Sequence, residues 1–411
     1  MPNIKRVVTI VIFIFATFII GLFLYTIFFQ PLTTETNVPP AGGGQPIGGD
    51  PGLIGNSNAR LPGGTVPSPT PTETPSPQPS AAGGTATGGL TQVFPAITTV
   101  SDGVTMDRDG SSLVYYDVSD GKFYRLTKDG KIQTLNDRIF HDVQKITWSD
   151  DRQRAVLEYP DSANIIFDFA SGKQVSLPNH WEDFDFSPAG DQIIAKSIGM
   201  DSGNRWLVVT DATGSKERPI APLGNIADSV ITAWSPSNQM VAIKVQGSGA
   251  SEQELFFVGL NDERYRSTVV PGLGFEGNYT PDGNQLLYSV YSSRTQVKPE
   301  LWLTSVSPDA IGENRRTVGL QTWAHKCTFA DASVAYCAVP ETLPVGAGMY
   351  PNESDNSADQ LYRVDLLNGG TTLVALPELG HTMESLTVSS DGRNLYYTAK
   401  QDSKVYRIQL K

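Results

Sequence analysis

The chain has 411 residues, of which 18% are charged, and carries a formal net charge of −12. An acidic surface repels phosphate backbones, so nucleic acid is excluded as a partner. No His-Glu-x-x-His, Cys-x-x-Cys, Gly-x-Ser-x-Gly or phosphate-cradling glycine loop occurs, so neither a metal nor a cofactor is expected.

Residues 1–6 include Lys5 and Arg6, and an uncharged apolar run follows from Val7 to Phe29. About 20 such residues span a bilayer as a helix. The positive flank places residues 1–6 in the cytoplasm and everything beyond 29 outside. The run is too long for a signal-peptide core and no small-x-small cleavage site follows, so 7–29 reads as a transmembrane signal anchor. The expectation is a single-pass cell membrane protein with an extracytoplasmic domain, periplasmic or extracellular.

Residues 30–90 are Pro, Gly, Thr and Ser with few large apolar side chains, culminating in the run Pro67–Pro79. Such a composition cannot bury enough surface to offset ordering entropy, so a disordered stalk is expected. Its proline-rich part extends at about 3.1 Å per residue.

From Met106 onward one phrase recurs seven times: an anchor residue, a tight polar turn, then apolar residues. The anchors are Met106, Trp148, Phe186, Trp234, Tyr279, Cys327 and Val388, and an apolar residue stands seven places after each. Turns such as Ser187-Pro188-Ala189-Gly190 and Thr280-Pro281-Asp282-Gly283 carry the residues that preset tight reversals. A third strand (Phe123–Leu126 in the first unit) and a short fourth (Lys131–Leu135) complete each unit. Four antiparallel strands per 40–50 residues or so is the dimension of a propeller blade. The reading is therefore all-β, a seven-bladed β-propeller over 91–411.

The seventh unit stops after three strands, which would leave an unpaired edge. The segment Gln92–Thr98 is expected to supply the missing outer strand and close the ring. Cys327 and Cys337 are expected on different strands of one blade without facing each other, packing as small buried residues rather than bridging.

Three of the four histidines, His141, His180 and His381, stand six or seven residues before their anchors, and His325 stands two before. Equivalent positions in a ring lie on one face. With Asp142, Trp181, Glu182, Asp228, Glu276, Trp323 and Glu384 they form a candidate rim around the central channel. The insertion Pro340–Asp359, with Tyr350, is a second candidate for partner contact, since long loops in compact folds are functional or disordered.

The phrases Phe186-Ser187-Pro188-Ala189-Gly190-Asp191-Gln192-Ile193 and Tyr279-Thr280-Pro281-Asp282-Gly283-Asn284-Gln285-Leu286 resemble the repeats of TolB-like propellers, a WD-repeat-like bacterial group. The Trp-Asp pair that ends many WD repeats is absent. The resemblance implies extracytoplasmic protein–protein binding. The expected function is thus a non-catalytic binding or scaffold module for a protein or peptide of the cell envelope. Two alternatives stand beside it: a glycan-active hydrolase or lyase using Glu182, Asp183, Glu276 or Glu384, and a purely structural display module.

Overall fold

The computed structural model describes Ile19 and residues 82–410. The expectations for 1–6, for the helix over 7–29 and for nearly all of the stalk fall outside the described residues. Among those described, no helix is long and apolar enough to cross a membrane.

Residues 90–409 form seven antiparallel sheets, each a blade whose innermost strand faces a central channel. The inner strands are Ser101–Met106, Lys145–Trp148, Trp181–Phe186, Val230–Thr232, Leu273–Tyr279, Cys327–Asp331 and Met383–Val388. Blades 1 to 5 are simple four-stranded meanders. Seven clusters of buried apolar side chains lie at the seams between neighbouring blades; Leu157, Phe167 and Phe123 fill the seam of blades 1 and 2.

The recurring phrase has a local physical cause. In five blades the residue after the anchor is a buried hydroxyl: Ser149, Ser187, Ser235, Thr280 and Ser389. Each accepts the backbone N–H of the residue five places on, as in Gln192 N to Ser187 Oγ at 3.0 Å. Four places after the anchor the backbone turns left-handed, at Gly110, Arg152, Gly190, Asn238, Gly283 and Gly392. That is a type I turn closed by a left-handed residue, a common hairpin of this loop length. The seven-residue offset is the ladder register itself, pairing Trp148 with Ala155 and Phe186 with Ile193.

Blade 6 departs from this pattern. Its hairpin turns in two residues, Ala332-Ser333, with Asp331 opposite Val334. A register shift between Phe329 and Asp331 then sets Cys327 directly opposite Cys337, with Cα atoms 4.0 Å apart and a disulfide between them. The expectation that the two cysteines do not face each other is therefore wrong. It followed from treating Cys327 as an anchor in a blade that lacks the repeated turn.

The ring closes as expected and by a wider margin. Phe94–Ile97 pairs antiparallel with Val405–Gln409 as the outer strand of blade 7. Just before it, Leu90–Thr91 adds a parallel fifth strand to the edge of blade 6, beside Leu376 and Pro377. Val93 is buried between blades 6 and 7, and Ile97 between blades 7 and 1. Ordered backbone begins earlier than the expected boundary: Gly83 N bonds Leu90 O and Ala86 N bonds Gln409 O.

Candidate binding face

Strand direction sorts the loops into two sets. Each inner strand begins on one face, here called upper, and ends in its hairpin on the lower face. The connections between second and third strands return to the upper face. His141, His180, Trp181, Glu182, Asp228, Glu276, Trp323, His325, His381, Glu384 and Tyr350 all lie on such upper segments.

The face does not gather them into one cluster. Trp181 and Trp323 are buried, Trp181 among Phe184, Phe186 and Val156 at the seam of blades 2 and 3. They are scaffold. His381 is half-buried, its ring 4.4 Å from that of Tyr406 and its Nδ1 3.0 Å from Tyr397 Oη. Burial holds its pKa below the ordinary histidine value. His141, His180 and Asp228 are exposed.

His325 and Glu276 do meet. The ring Nδ1 is 3.0 Å from Glu276 Oε2, and His325 N donates to Oε1 at 3.2 Å, as does Ser289 Oγ at 3.0 Å. Burial raises the Glu276 pKa, but these bonds and the His325 charge outweigh it and hold the carboxyl below its usual range.

Two further groups flank the channel mouth. Between blades 2 and 4, Lys145 Nζ lies 3.6 Å from Glu158 and 3.8 Å from Asp183, while Lys196 Nζ lies 3.3 Å from Asp183 and 3.8 Å from Glu182. Asp183 reaches both lysines because it is the left-handed residue of a β-bulge in its inner strand, and bulges re-aim side chains. Its Oδ2 also accepts Thr232 N of the next blade at 3.2 Å. A matching bulge in blade 1 needs Gly103, where an added Cβ would lie 2.8 Å from the Ile146 side chain.

In blade 6, Lys326 Nζ lies 2.6 Å from Asp359 Oδ2, both side chains buried, and Met383 N of blade 7 donates to the same oxygen at 2.6 Å. Burial pushes the Asp359 carboxyl up against the pull of Lys326. Lys400 joins Asp355 at 2.7 Å and Glu384 at 2.9 Å. The sequence reading missed these lysines. The available signal was a lysine inside an apolar strand, as in Ile193-Ile194-Ala195-Lys196.

Lower in the channel, Asp185 accepts Phe186 N at 2.8 Å and Trp234 N at 2.7 Å. Burial, with Asp150 and Asp183 nearby, raises its pKa to about 7. Among the described residues no group of three or more histidines, cysteines and acids is placed to hold a metal ion.

Cavities follow the same geography only in part. One of about 370 Å³ opens at the channel mouth between the inner strands of blades 1, 2 and 7, with Asp102, Lys145 and Ser385 in its wall. Another, of about 300 Å³, lies between blades 2 and 3 and is lined by Glu158, Tyr159, His180 and Glu182. A larger one, about 620 Å³, lies away from all these residues, under Ala86–Gly88 where the N-terminal segment crosses blades 6 and 7. That one is a gap left by ring closure.

Exposed apolar residues are unevenly shared. Val118, Ile139, Met200, Ile226, Met349 and Leu379 stand on upper loops, whereas only Ile132, which opens the outer strand of blade 1, and Leu367 stand on the lower side among the described residues.

Neither a family model nor a curated protein matches the sequence. Among solved structures, the chain is similar to the Cps50 (Swd1) β-propeller domain of Myceliophteria thermophila, at 13% identity and a TM-score of 0.51, over 76% of this chain and 98% of that one. It is similar to hydrazine synthase of Kuenenia stuttgartiensis at 13% identity and TM-score 0.51, over 77% and 96%. TolB of Acinetobacter baumannii aligns at 12% identity and TM-score 0.41, over 64% of each chain, which is too distant to carry an argument about family. The fold is a seven-bladed β-propeller, and at these identities the likeness extends to fold alone.

Proposed function

We propose that this protein is a membrane-anchored, extracytoplasmic propeller that binds a protein or peptide of the cell envelope and does not catalyse a reaction. The observation that carries the reading is the asymmetry of the two faces. Exposed apolar side chains are more numerous on the upper loops than on the lower side, and exposed apolar surface is where partners dock.

The upper carboxylates support binding over catalysis. Glu276 is held by His325 and Ser289, Asp183 by two lysines and a backbone N–H, Glu182 by Lys196, and Glu384 by Lys400. A glycosidase needs one carboxyl free to give a proton and another free to attack or activate water. The Cys327–Cys337 disulfide supports an oxidising compartment, and so does the Lys5-Arg6 flank of the apolar run 7–29.

The test is covalent capture of envelope proteins by the full-length chain, compared with two variants. Met200→Ser, Ile226→Ser and Met349→Ser combined on the upper face should lose the captured protein, and Leu367→Ser on the lower face should retain it. Equal loss in both, or capture unchanged in both, rejects the reading. Protease access to the propeller in intact and in opened cells checks the compartment.

A further inference from the structure

The blade 6 insertion, residues 341–358, joins the second and third strands on the upper face and is built as a rigid display. Val345, Met349 and Tyr350 are 70%, 55% and 60% exposed. They sit on one tight turn in which Met349 N and Tyr350 N both donate to Gly346 O, at 2.9 and 3.2 Å. The three exposed side chains thus stand on one turn, while Ala347 between them is fully buried.

The turn is clamped at both ends. Gly346 N bonds Gln296 O at 3.1 Å and Gly348 N bonds Val297 O at 2.7 Å, both in the blade 5 connection. Gly348 lies flat against Tyr291, where any Cβ would stand 2.6 Å from the ring carbons. At the far end Thr382 of blade 7 donates its hydroxyl to Asp355 O at 2.9 Å and Ser357 O at 2.7 Å. Val297 is held left-handed, at φ 59°, which a β-branched residue adopts only where its surroundings enforce it. Backbone strain of that kind clusters at functional sites. A patch fixed in advance loses little entropy on binding, and Met and Tyr are enriched where interfaces concentrate their energy.

Charge selects the partner. The segment 341–358 contains Glu341, Glu353 and Asp355 and no lysine, arginine or histidine. Asp355 is neutralised by Lys400, but Glu353 is exposed, and Glu341 meets only the amide of Gln360, at 3.3 Å. Glu341 also lines a groove of about 470 Å³ on the flank of the insertion, with Pro340, Leu343, Tyr362 and Lys298.

We infer that this patch and groove are the principal docking site of the upper face, and that the occupant is a protein segment presenting apolar side chains flanked by lysine or arginine. The inference rests on the binding-module reading and narrows it from a face to a site. Apolar anchors would cover Val345, Met349 and Tyr350, and the cations would meet Glu341 and Glu353.

Random 12-residue peptides displayed on phage, selected on the full-length chain in a lipid nanodisc, test it. The expected consensus combines aromatic or aliphatic residues with Lys or Arg. Met349→Ser with Tyr350→Ser should weaken the selected peptides at least about tenfold. Glu341→Gln with Glu353→Gln should weaken them by a smaller factor and reduce their salt dependence. Lys145→Gln, at the channel mouth, should leave them unchanged. Circular dichroism of each variant checks that the fold is intact. Peptides that lose binding only in the mouth variant overturn the site yet leave the binding face standing. Acidic consensus peptides, or none enriched above a bare nanodisc, overturn the inference. Peptides indifferent to every upper-face variant overturn the binding face as well.

Discussion

The lower and upper faces of this propeller are held by different kinds of contact. On the lower face the hairpin bonds are local: Ser149 Oγ to Asp151 spans two residues, Ser187 Oγ to Asp191 four, and Gln192 N to Ser187 Oγ five, and arginines then cross blades to carbonyls, Arg152 Nε to Met106 O over 46 residues and Arg218 Nη1 to Leu260 O over 42. On the upper face they cross blades. Thr232 N to Asp183 and His325 N to Glu276 each span 49 residues, and Met383 N to Asp359 spans 24. Each inner strand is an edge with unpaired N–H groups, and acids of a neighbouring blade satisfy several of them. The hairpin of the lower face is thus a repeated device that a blade builds from its own residues, and arginines tie it to its neighbour. The upper carboxylates reach these backbone N–H donors only once neighbouring blades have met.

The contrast can be broken in measurable ways. The largest effect is expected from Lys326→Met, which leaves the buried Asp359 without its partner; removing one half of a buried pair costs about 3–5 kcal/mol. Thermal or urea unfolding reads it, and an unchanged midpoint would show that this buried pair is dispensable. Ile97→Ala, in the strand that seals blades 7 and 1, should cost about 2–4 kcal/mol and lower the unfolding of the whole domain as one transition. A second, separate transition would show that closure is not shared by the ring.

Ser187→Ala removes one local turn bond and leaves Gln192 N without its acceptor, for about 1–2 kcal/mol. The same substitution at Ser149 should cost a similar amount, because the device repeats. Unequal costs would mean that the blades are not equivalent supports.

His381 should impose a pH dependence. Its folded pKa lies below the unfolded value of 6.5, so its contribution is present above that pH and lost as pH falls through the folded value. His381→Gln should flatten the stability profile on the acid side. A profile identical to that of the parent protein would place the titration elsewhere. The smallest effect belongs to Met349→Ser, which is expected to move stability by no more than about 0.5 kcal/mol, since an exposed side chain supports no packing. A larger loss would make the insertion part of the scaffold.

The sequence showed the lower face because its signals are short-range. A hydroxyl after the anchor and a left-handed residue three places further are visible in any blade that has them. Where blade 6 lacked them, the reading failed, and with it the register of Cys327 and Cys337. The candidate rim was legible as a position but not as an environment. Spacing put His381 and Trp181 on the correct face, yet His381 packs against Tyr406 and Trp181 fills a seam. Lys145, Lys196 and Lys326 went unread because an isolated lysine carries no motif.

The sequence by itself determined seven repeated hairpins, the alternation of buried and exposed strand residues, and the shortage of strands that required the N-terminal segment to close the ring. Each follows from backbone and side-chain preferences acting over a few residues. Only the tertiary structure decided which carboxylates meet which lysines, that two cysteines face each other, and that the insertion of blade 6 is clamped between its neighbours. Those outcomes depend on where one blade falls against the next, and residues some fifty positions apart acquire an energy of interaction only after the chain has brought them into contact.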